Sequence, residues 1–310
     1  MMVRRGVPLA LAVGLMLALA GAGAGANPGP PGPHVCSGTL HKPGLLKGTY
    51  PHGVVVKGVC AVKTGPAHVI GTLAVANAST LEAAFGRHNA SLKVTGDLVV
   101  DKGATVFLGC KVNPNGTGFP CFDEPHPNHP TLTSHGSVSG SIIENSALAV
   151  ILHNSAIGND LTQTGGGGGL SCGPRKHGIF AVMKSPAFSV YEDSSIGGNL
   201  KIRGVHTCFL SVARVTIGGN TRINRNETKD PDAIEVLSNH IHLNLSCHGN
   251  SHPKGAPPDS FPIWDSRDLP PKFALYPRES DPNTVGGSRS GQCVKASPIK
   301  ADGPPAAKHF

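Results

Sequence analysis

Four acidic residues are the candidates for catalysis in this chain. Glu192 and Asp193 are adjacent, and Asp232 and Glu235 lie together further along. Two carboxylates on one exposed face could act as general acid and base on a glycosidic bond, or could hold a calcium ion beside a basic side chain. Acidic residues are few and scattered, 19 among 310. This favours the alternative that these carboxylates are solvated or form surface ion pairs.

Two histidines are spaced for metal binding. His240 and His242 occupy positions i and i+2 of a predicted strand, so their side chains lie on the same side and could share a metal ion. Ile241 between them is predicted to face the core, which turns both imidazoles toward solvent. We therefore expect no bound metal and no other cofactor.

Other chemical motifs are absent. The sequence contains no Gly-x-Ser-x-Gly, His-Glu-x-x-His or Gly-x-x-x-x-Gly-Lys pattern. Aromatic residues make up 5% of the chain and interleave with no basic run, so nucleic-acid binding is not expected. The formal net charge of +8 is compatible with a cell-wall polymer or an acidic extracellular polysaccharide as partner, although solubility alone explains it.

A tandem repeat must position the candidate residues. Ile196–Ile202 has the sequence Ile-Gly-Gly-Asn-Leu-Lys-Ile and recurs 21 residues later as Ile217–Ile223, with five of seven positions identical. A short strand closed by Gly-Gly-Asn and repeated at this period is typical of a coil in which each turn pairs with the next. We predict an all-β fold, a single-stranded parallel β-helix (β-solenoid) with about 20–25 residues per turn.

The repeat register predicts specific neighbours. Equivalent side chains of successive turns should stack in three columns: Ile196, Ile217 and Ile241; Ile202, Ile223 and Cys247; and Asn199, Asn220 and Asn244. Asn244 should be buried in its column. Asp193 should lie beside Arg214 as an exposed ion pair that contributes only ~0–1 kcal/mol.

Three segments depart from the simple repeat. The 39 residues from Ile157 to Ile196 are interpreted as about two turns. Gly165–Gly169 lies within this interval and is predicted to form a sharp corner or a close backbone approach, with a flexible linker as the alternative. Thr80–Arg87 is the one candidate helix.

The first 26 residues have the order of a secretory signal peptide. Arg4 and Arg5 precede an apolar run, Val7–Ala20, and small residues follow as far as Ala26. The run is shorter than the ~20 residues that a membrane-spanning helix needs. We expect a secreted protein, extracellular or associated with the cell wall, that is not embedded in a membrane.

Three further segments are predicted after the signal peptide of residues 1–26. Residues 27–34 are rich in proline and glycine and should form a flexible lead-in. The β-solenoid should span residues 35–295, with a proline-rich insertion at about 249–282. Residues 296–310 are polar and predicted to be a disordered tail.

The cysteines indicate disulfides. All eight follow the predicted cleavage site, and an even number in an exported chain is typical of a disulfide framework. The absence of any Cys-x-x-Cys pair argues against a metal site formed by cysteines. Many pairings are possible, and proximity along the chain together with turn-to-turn spacing favours four of them: Cys36–Cys60, Cys110–Cys121, Cys172–Cys208 and Cys247–Cys293.

Several stretches carry a resemblance to a known family: Tyr191–Leu200 with Thr207-Cys208 and the second Ile-Gly-Gly-Asn, Asp230–Asn239, the glycine run before Cys172, and Pro282–Gly287 with Gly291-Gln292-Cys293. They resemble uncharacterised secreted actinobacterial β-solenoid proteins with Ile-Gly-Gly-Asn-Leu repeats. The resemblance covers about residues 157–293 well and the N-terminal half loosely, and it departs at His242-Leu243, where the repeat has Gly-Gly. That family has no assigned activity, so the resemblance implies the fold and export and transfers no functional residue.

Two functions from different classes remain open. The first is an exported, non-enzymatic β-solenoid that serves as a surface, adhesion or carbohydrate-contacting scaffold, and the low acidic content and regular repeats favour it. The alternative is a carbohydrate-active enzyme of the pectate-lyase-like type, which requires the four carboxylates to converge in one groove. A minor alternative is metal binding through His240 and His242.

Overall fold

The structure is a computed structural model, and it describes residues 31–83, 90–109, 135–229, 234–251 and 283–294. Most of these residues lie in short strands or in the tight corners between them. Among them, α1 (Ile179–Val182) is a helix of a single turn. The described residues from Gly32 onward belong to one compact unit.

Two parallel series of strands, numbered in chain order, make one large sheet that contains 17 strands among the described residues. Sheet A consists of β1 (His34–Gly38), β4 (Val54–Ala61), β6 (Leu73–Val75), β9 (Leu98–Val100), β12 (Ile142–Asn145), β15 (Leu161–Thr164), β18 (Leu200–Arg203), β22 (Thr221–Asn224), β26 (Leu245–His248) and β28 (Arg289–Gly291). Sheet B consists of β2 (Gly44–Leu45), the second half of β4, β7 (Thr80–Ala83), β10 (Thr105–Leu108), β13 (Ala149–Leu152), β16 (Ser189–Glu192), β20 (Leu210–Ala213) and β24 (Ile234–Leu237).

Two further parallel sheets complete the described strands. Sheet C consists of β3 (Gly48–Tyr50), β5 (Ala67–Val69), β8 (Leu92–Val94), β11 (Gly136–Val138), β14 (Ser155–Ile157), β17 (Ser195–Ile196), β21 (Thr216–Ile217), β25 (His240–Ile241) and β27 (Thr284–Val285). Sheet D consists of β19 (His206–Thr207) and β23 (Glu227–Thr228). From β11 to β18 the chain visits sheets C, A and B in strict rotation, and every pairing is parallel.

The predicted isoleucine columns are present. In sheet C, Ile196 pairs with Ile217 and Ile217 pairs with Ile241. In sheet A, Ile202 pairs with Ile223, and Ile223 pairs in turn with Cys247. The spacing of the sequence repeat therefore equals the offset between paired strands in sheets A and C.

Alternation along each strand separates the core from the surface. In β18, Leu200 and Ile202 are fully buried, whereas Lys201 and Arg203 between and after them are exposed. The same pattern along sheets A, B and C produces one continuous cluster of buried Val, Leu and Ile side chains. Burial of these apolar surfaces is the main stabilising contribution.

The asparagine column forms a hydrogen-bonded ladder. The Asn199 Oδ1 atom accepts hydrogen bonds from the backbone N–H and the side-chain amide of Asn220 at 2.9 and 3.2 Å. Asn220 accepts from the side chain of Asn244 in the same way, at 2.9 Å. Asp160 precedes the ladder and Ser288 follows it. The expectation that Asn244 is buried is wrong, because this corner of the sheet faces solvent.

A second amide ladder lies inside the fold and was not predicted. The Asn250 Oδ1 atom accepts from the backbone and side chain of Asn226, both at 3.0 Å, and Gln292 accepts from Asn250 at 2.9 Å. Asn226 is fully buried. The 24-residue spacing of Asn226 and Asn250 equals that of Ile217 and Ile241, and this repeated spacing could have revealed the ladder.

The repeat is imperfect at His242 and Leu243, which replace the two glycines. We call the residues that one repeat contributes to the stacked strands and corners a rung. A Cβ atom on Gly197 or Gly218 would clash with the carbonyl oxygen of the glycine at the equivalent position of the preceding rung, so these corners are tightly stacked. At the substituted rung the Leu243 N–H lies 3.4 Å from the Gly219 carbonyl, whereas the corresponding distance for Gly219 is 2.7 Å. The wider spacing is confined to Leu243, because His242 keeps a hydrogen bond of 2.9 Å to Ile217.

The interval from Ile157 to Ile196 is one step of the register, not two. The two residues are direct partners in β14 and β17. The additional residues pack on the outer face of sheet B, where Phe180 and Phe188 join a second apolar cluster with Phe209. All five residues of Gly165–Gly169 have positive φ, as the predicted corner requires.

The helix predicted at Thr80–Arg87 is wrong over its described part. Thr80–Ala83 is strand β7, since its backbone pairs with both β4 and β10. Two neighbouring strands satisfy the backbone on both sides, and this tertiary context outweighs the local helical preference. Residues 84–89 lie outside the described residues.

Three of the expected disulfides are present in the described residues. Cys36–Cys60, Cys172–Cys208 and Cys247–Cys293 have Cα–Cα distances of 6.3, 4.9 and 5.4 Å. The predicted Cys110–Cys121 bridge lies outside the described residues, as do the signal peptide and most of the insertion and the tail. Several disulfides are typical of a protein from an oxidising compartment. No helix in the described ranges has the length and apolar character that crossing a bilayer requires.

Candidate functional site

The acidic pair Glu192 and Asp193 lies at a corner between sheets B and C. Glu192 is the last residue of β16 and pairs with Ala213, which places Asp193 beside Arg214 one rung further on. Asp193 and Arg214 both have left-handed backbones, with φ of 46° and 58°. They occupy equivalent corners of neighbouring rungs, so their side chains lie next to each other.

Arg214 binds both carboxylates. Its Nε atom donates to the Asp193 Oδ1 atom at 2.7 Å, and one terminal nitrogen donates to the Asp193 Oδ2 atom at 3.2 Å and to the Glu192 Oε2 atom at 3.1 Å. His153 contributes from the preceding rung, with its Nε2 atom 3.4 Å from Glu192 Oε2 and its Nδ1 atom 3.6 Å from Asp193 Oδ2. We call these four residues the corner cluster.

The Asp193–Arg214 contact was predicted, but its predicted exposure is wrong. The side chains of Asp193 and Arg214 are only 6% and 9% exposed. Burial by itself would raise the pKa of Asp193, but the adjacent His153 imidazole and the Arg214 charge outweigh it and hold that pKa well below its usual range. Asp193 is therefore ionised at neutral pH.

The corner cluster is poorly suited to acid–base catalysis. Both carboxylates are held by Arg214, so neither is free to exchange a proton with a substrate. Glu235 of β24 is also buried. It pairs with Ser211, whereas Glu192 pairs with Ala213, so the two carboxyl groups lie in different columns. Asp232 lies outside the described residues. The three described candidates thus do not converge on an open groove.

The ligand atoms of the corner cluster are close enough to bind a metal ion, but the positive charge of Arg214 already balances the carboxylates. Ligand atoms of His153, Glu192 and Asp193 all lie within 4.8 Å of one another. However, Arg214 already donates to the oxygens that would bind a cation. A metal ion would have to displace a buried guanidinium from two carboxylates.

The other metal candidates, His240 and His242, are exposed, as expected from the buried Ile241 between them. Their ring centroids are 4.8 Å apart in an edge-on arrangement. The Nδ1 atom of His240 lies 2.6 Å from the Thr284 hydroxyl. One of its two possible ligand atoms is therefore already hydrogen-bonded.

A further buried carboxyl group, Glu144, lies inside the fold and was not predicted as a site. Glu144 of β12 pairs with Gln163 of β15, and both side chains are fully buried. The Tyr191 hydroxyl reaches them from β16, 2.9 Å from Glu144 Oε2 and 2.9 Å from Gln163 Oε1. Burial raises the pKa of Glu144 to about 8, although the hydrogen bond from Tyr191 opposes this. Burial and the adjacent Glu144 also raise the pKa of Tyr191.

An open groove of about 570 Å³ crosses the outer face of sheet A, and it was also missed. Four exposed cationic side chains surround it, together with polar side chains of β15, β22 and β26: Lys201, Arg203, Arg222, Arg225, Thr162, Thr164, Asn224 and His248. We call it the basic groove. The repeat contained a signal, because Lys201 and Arg222 occupy the same outward position of the two heptads.

Comparison of the chain with protein-family models, curated proteins and solved structures returned no match.

Proposed function

We propose that this chain is an exported, non-enzymatic β-solenoid that serves as a surface scaffold and contacts an extracellular polysaccharide. The observation that carries the proposal is the continuous parallel register of sheet A, whose strands present outward side chains on successive rungs. Repetitive folds of this kind offer extended surfaces to extended ligands. In this proposal the rotation among sheets C, A and B is one coil with about 20–25 residues per turn.

The state of the carboxylates supports a binding role over an enzymatic one. Glu192 and Asp193 are held by Arg214, and Glu144 has no path to solvent because it is fully buried. A glycosidase needs two accessible carboxyl groups within about 5–10 Å on either side of a bound sugar. Among the carboxyl groups considered above, Glu192 and Asp193 are occupied by Arg214, and Glu235 and Glu144 are buried.

Export is supported by the disulfides and by the signal-like N-terminal residues. The bridge between Cys36 and Cys60 lies near one end of sheet A, and that between Cys247 and Cys293 lies near the other. Cross-links that restrict the unfolded chain typically contribute ~2–4 kcal/mol each. A protein stabilised in this way is suited to an oxidising exterior.

The test combines binding with turnover. The oxidised protein lacking residues 1–26 should be co-sedimented with insoluble polysaccharides and run in affinity gels that contain soluble acidic or neutral ones. We expect retention by at least one polysaccharide without release of reducing ends or unsaturated sugars. Turnover that disappears in Glu192→Gln would establish the enzymatic alternative, and retention by none would contradict the proposal.

A further inference from the structure

We propose that the basic groove is the binding site for an acidic polysaccharide, with Lys201, Arg203, Arg222 and Arg225 holding its anionic groups. This inference rests on the proposed function and specifies the site and the class of ligand. The anionic groups in question are carboxylates or sulfates carried on sugar rings.

The register places the cations on adjacent rungs. Lys201 of β18 pairs with Arg222 of β22, and Arg203 pairs with Asn224 immediately before Arg225. Neighbouring strands lie about 4.8 Å apart, so the charged side chains form a short array across the strands. A polymer lying across the strands would meet several cations at once.

The charges of this array are not neutralised within the described part of the chain. None of its four cations forms an ion pair with a described carboxylate, whereas Arg214 in the corner cluster contacts two. Clustered like charges at such spacing repel one another even in water. An anionic ligand would relieve this repulsion, which gives the groove a preference for negative charge.

The remaining groove residues favour sugars over nucleic acid. Thr162 and Thr164 pair with Lys201 and Arg203, so hydroxyl groups lie beside the cations. Hydroxyl and amide groups can exchange hydrogen bonds with the hydroxyls of a sugar. The lining contains no Phe, Tyr or Trp on which a base could stack, and its single ring is the imidazole of His248.

The experiment compares two charge-matched double variants. Lys201→Gln/Arg222→Gln removes two charges from the groove. Lys57→Gln/Lys93→Gln removes two exposed charges elsewhere, on β4 and β8. Affinity electrophoresis would use a polyuronate, a sulfated polysaccharide, a neutral glucan and single-stranded DNA, each at low and high salt. Thermal unfolding would establish that both variants are folded.

We expect the unaltered protein to bind an acidic polysaccharide in preference to the glucan and the DNA. The groove variant should lose about tenfold or more in affinity, since charge-assisted hydrogen bonds are lost, and should show a weaker salt dependence. The control variant should stay within about twofold, because its charges lie elsewhere and are screened.

The possible failures are distinguishable. If the unaltered protein binds an acidic polysaccharide and the two variants weaken binding equally, the groove is not the site, although the proposed function stands. Preferential binding of the glucan, or of DNA through the same two residues, overturns the assignment of ligand class. If no polysaccharide is bound, the site and the proposed function both fail.

Discussion

Glu144 and Asp193 are both buried carboxyl groups, and both lie close to the C-terminal end of strand β16. Tyr191 of β16 points inward and its hydroxyl contacts Glu144. Two residues later, Asp193 turns at the corner and contacts Arg214. Glu144 accepts from a neutral hydroxyl, whereas Asp193 accepts from a guanidinium at 2.7 Å.

The difference shows that burial alone does not determine the charge of a side chain. Desolvation acts on both groups and favours the protonated form. For Glu144 it prevails, and the pKa rises from 4.5 to about 8. For Asp193 the neighbouring charges prevail and the pKa falls. Near the end of β16, Glu144 inside the fold therefore favours its protonated form, and Asp193 at the corner favours its ionised form.

The largest expected effect comes from removing the charge that sustains this difference. Arg214→Met leaves Glu192 and Asp193 without their guanidinium partner, and the side chain of Asp193 is only 6% exposed. We expect the free energy of unfolding to fall by about 3–5 kcal/mol, since an uncompensated buried charge is costly. Urea unfolding at neutral pH measures it.

Arg225→Met is the matched control for that substitution. Arg225 has a similar φ, 55°, but is exposed. Its loss should change the free energy of unfolding by less than about 0.5 kcal/mol. Equal effects at the two positions would show that loss of a long arginine side chain at such a corner, not loss of the buried ion pairs, explains the effect at Arg214.

The next effect concerns pH and Glu144. A raised pKa in the folded state means that the folded protein retains a proton that the unfolded chain loses, so the contribution of Glu144 to stability is complete below pH 4.5 and declines as pH rises through about 8. The expected slope is about 1.4 kcal/mol per pH unit, or about 3 kcal/mol between pH 5.5 and 7.5. In Glu144→Gln this component should vanish. Unfolding curves of both proteins across this range provide the difference, and parallel pH profiles would contradict the prediction.

Asp193→Asn should have a smaller effect of the opposite sign. The pKa of Asp193 is lowered, so its contribution is present above its ordinary pKa of 3.8 and is lost as the pH falls toward the folded value. We expect a loss of about 2 kcal/mol at neutral pH, because Arg214 retains Glu192. The difference between the two proteins should shrink below about pH 3.8.

Asp160→Asn is the control for the loss of a carboxylate. Asp160 begins the asparagine ladder, and its Oδ1 atom accepts from Asn199. An asparagine oxygen can accept the same hydrogen bonds, so unfolding should change by less than about 0.5 kcal/mol.

Apart from the two control substitutions, the smallest effect is expected for Tyr191→Phe. Removing the hydroxyl deprives Glu144 of a hydrogen bond and should cost about 1–2 kcal/mol at pH 5.5. Because that hydrogen bond lowers the pKa of Glu144, its loss should also move the pH-dependent decline to higher pH. A shift toward lower pH would show that Tyr191 does not donate to Glu144.

The sequence was sufficient for the contacts that the Ile-Gly-Gly-Asn repeat itself defines. Equal spacing of Ile196, Ile217 and Ile241 predicted their column, and the same register predicted the contact of Asp193 with Arg214. Repeats determine neighbours on adjacent rungs because parallel strands preserve the offset.

Features that depend on residues outside the repeat could not be predicted in this way. The Asp193–Arg214 contact is buried partly because His153 arrives from a rung that the heptad repeat does not include. Glu144 occupies an inward position of β12, but only the packing of sheets A and B brings Tyr191 to it. The interval before Ile196 was misjudged because its additional residues cover sheet B and form no rung of their own.

The wider spacing at Leu243 has a consequence for local motion. The backbone nitrogens of Leu243 and Asn244 donate to the preceding repeat at 3.4 and 3.3 Å, whereas His242 donates to Ile217 at 2.9 Å and Gly287 donates to Leu243 at 2.8 Å. Protection against hydrogen exchange follows the free energy of local opening. The amide of Leu243 should therefore exchange faster than those of Gly219 and Gly287, so that local opening begins at this corner while the flanking pair of His242 with Ile217 stays closed.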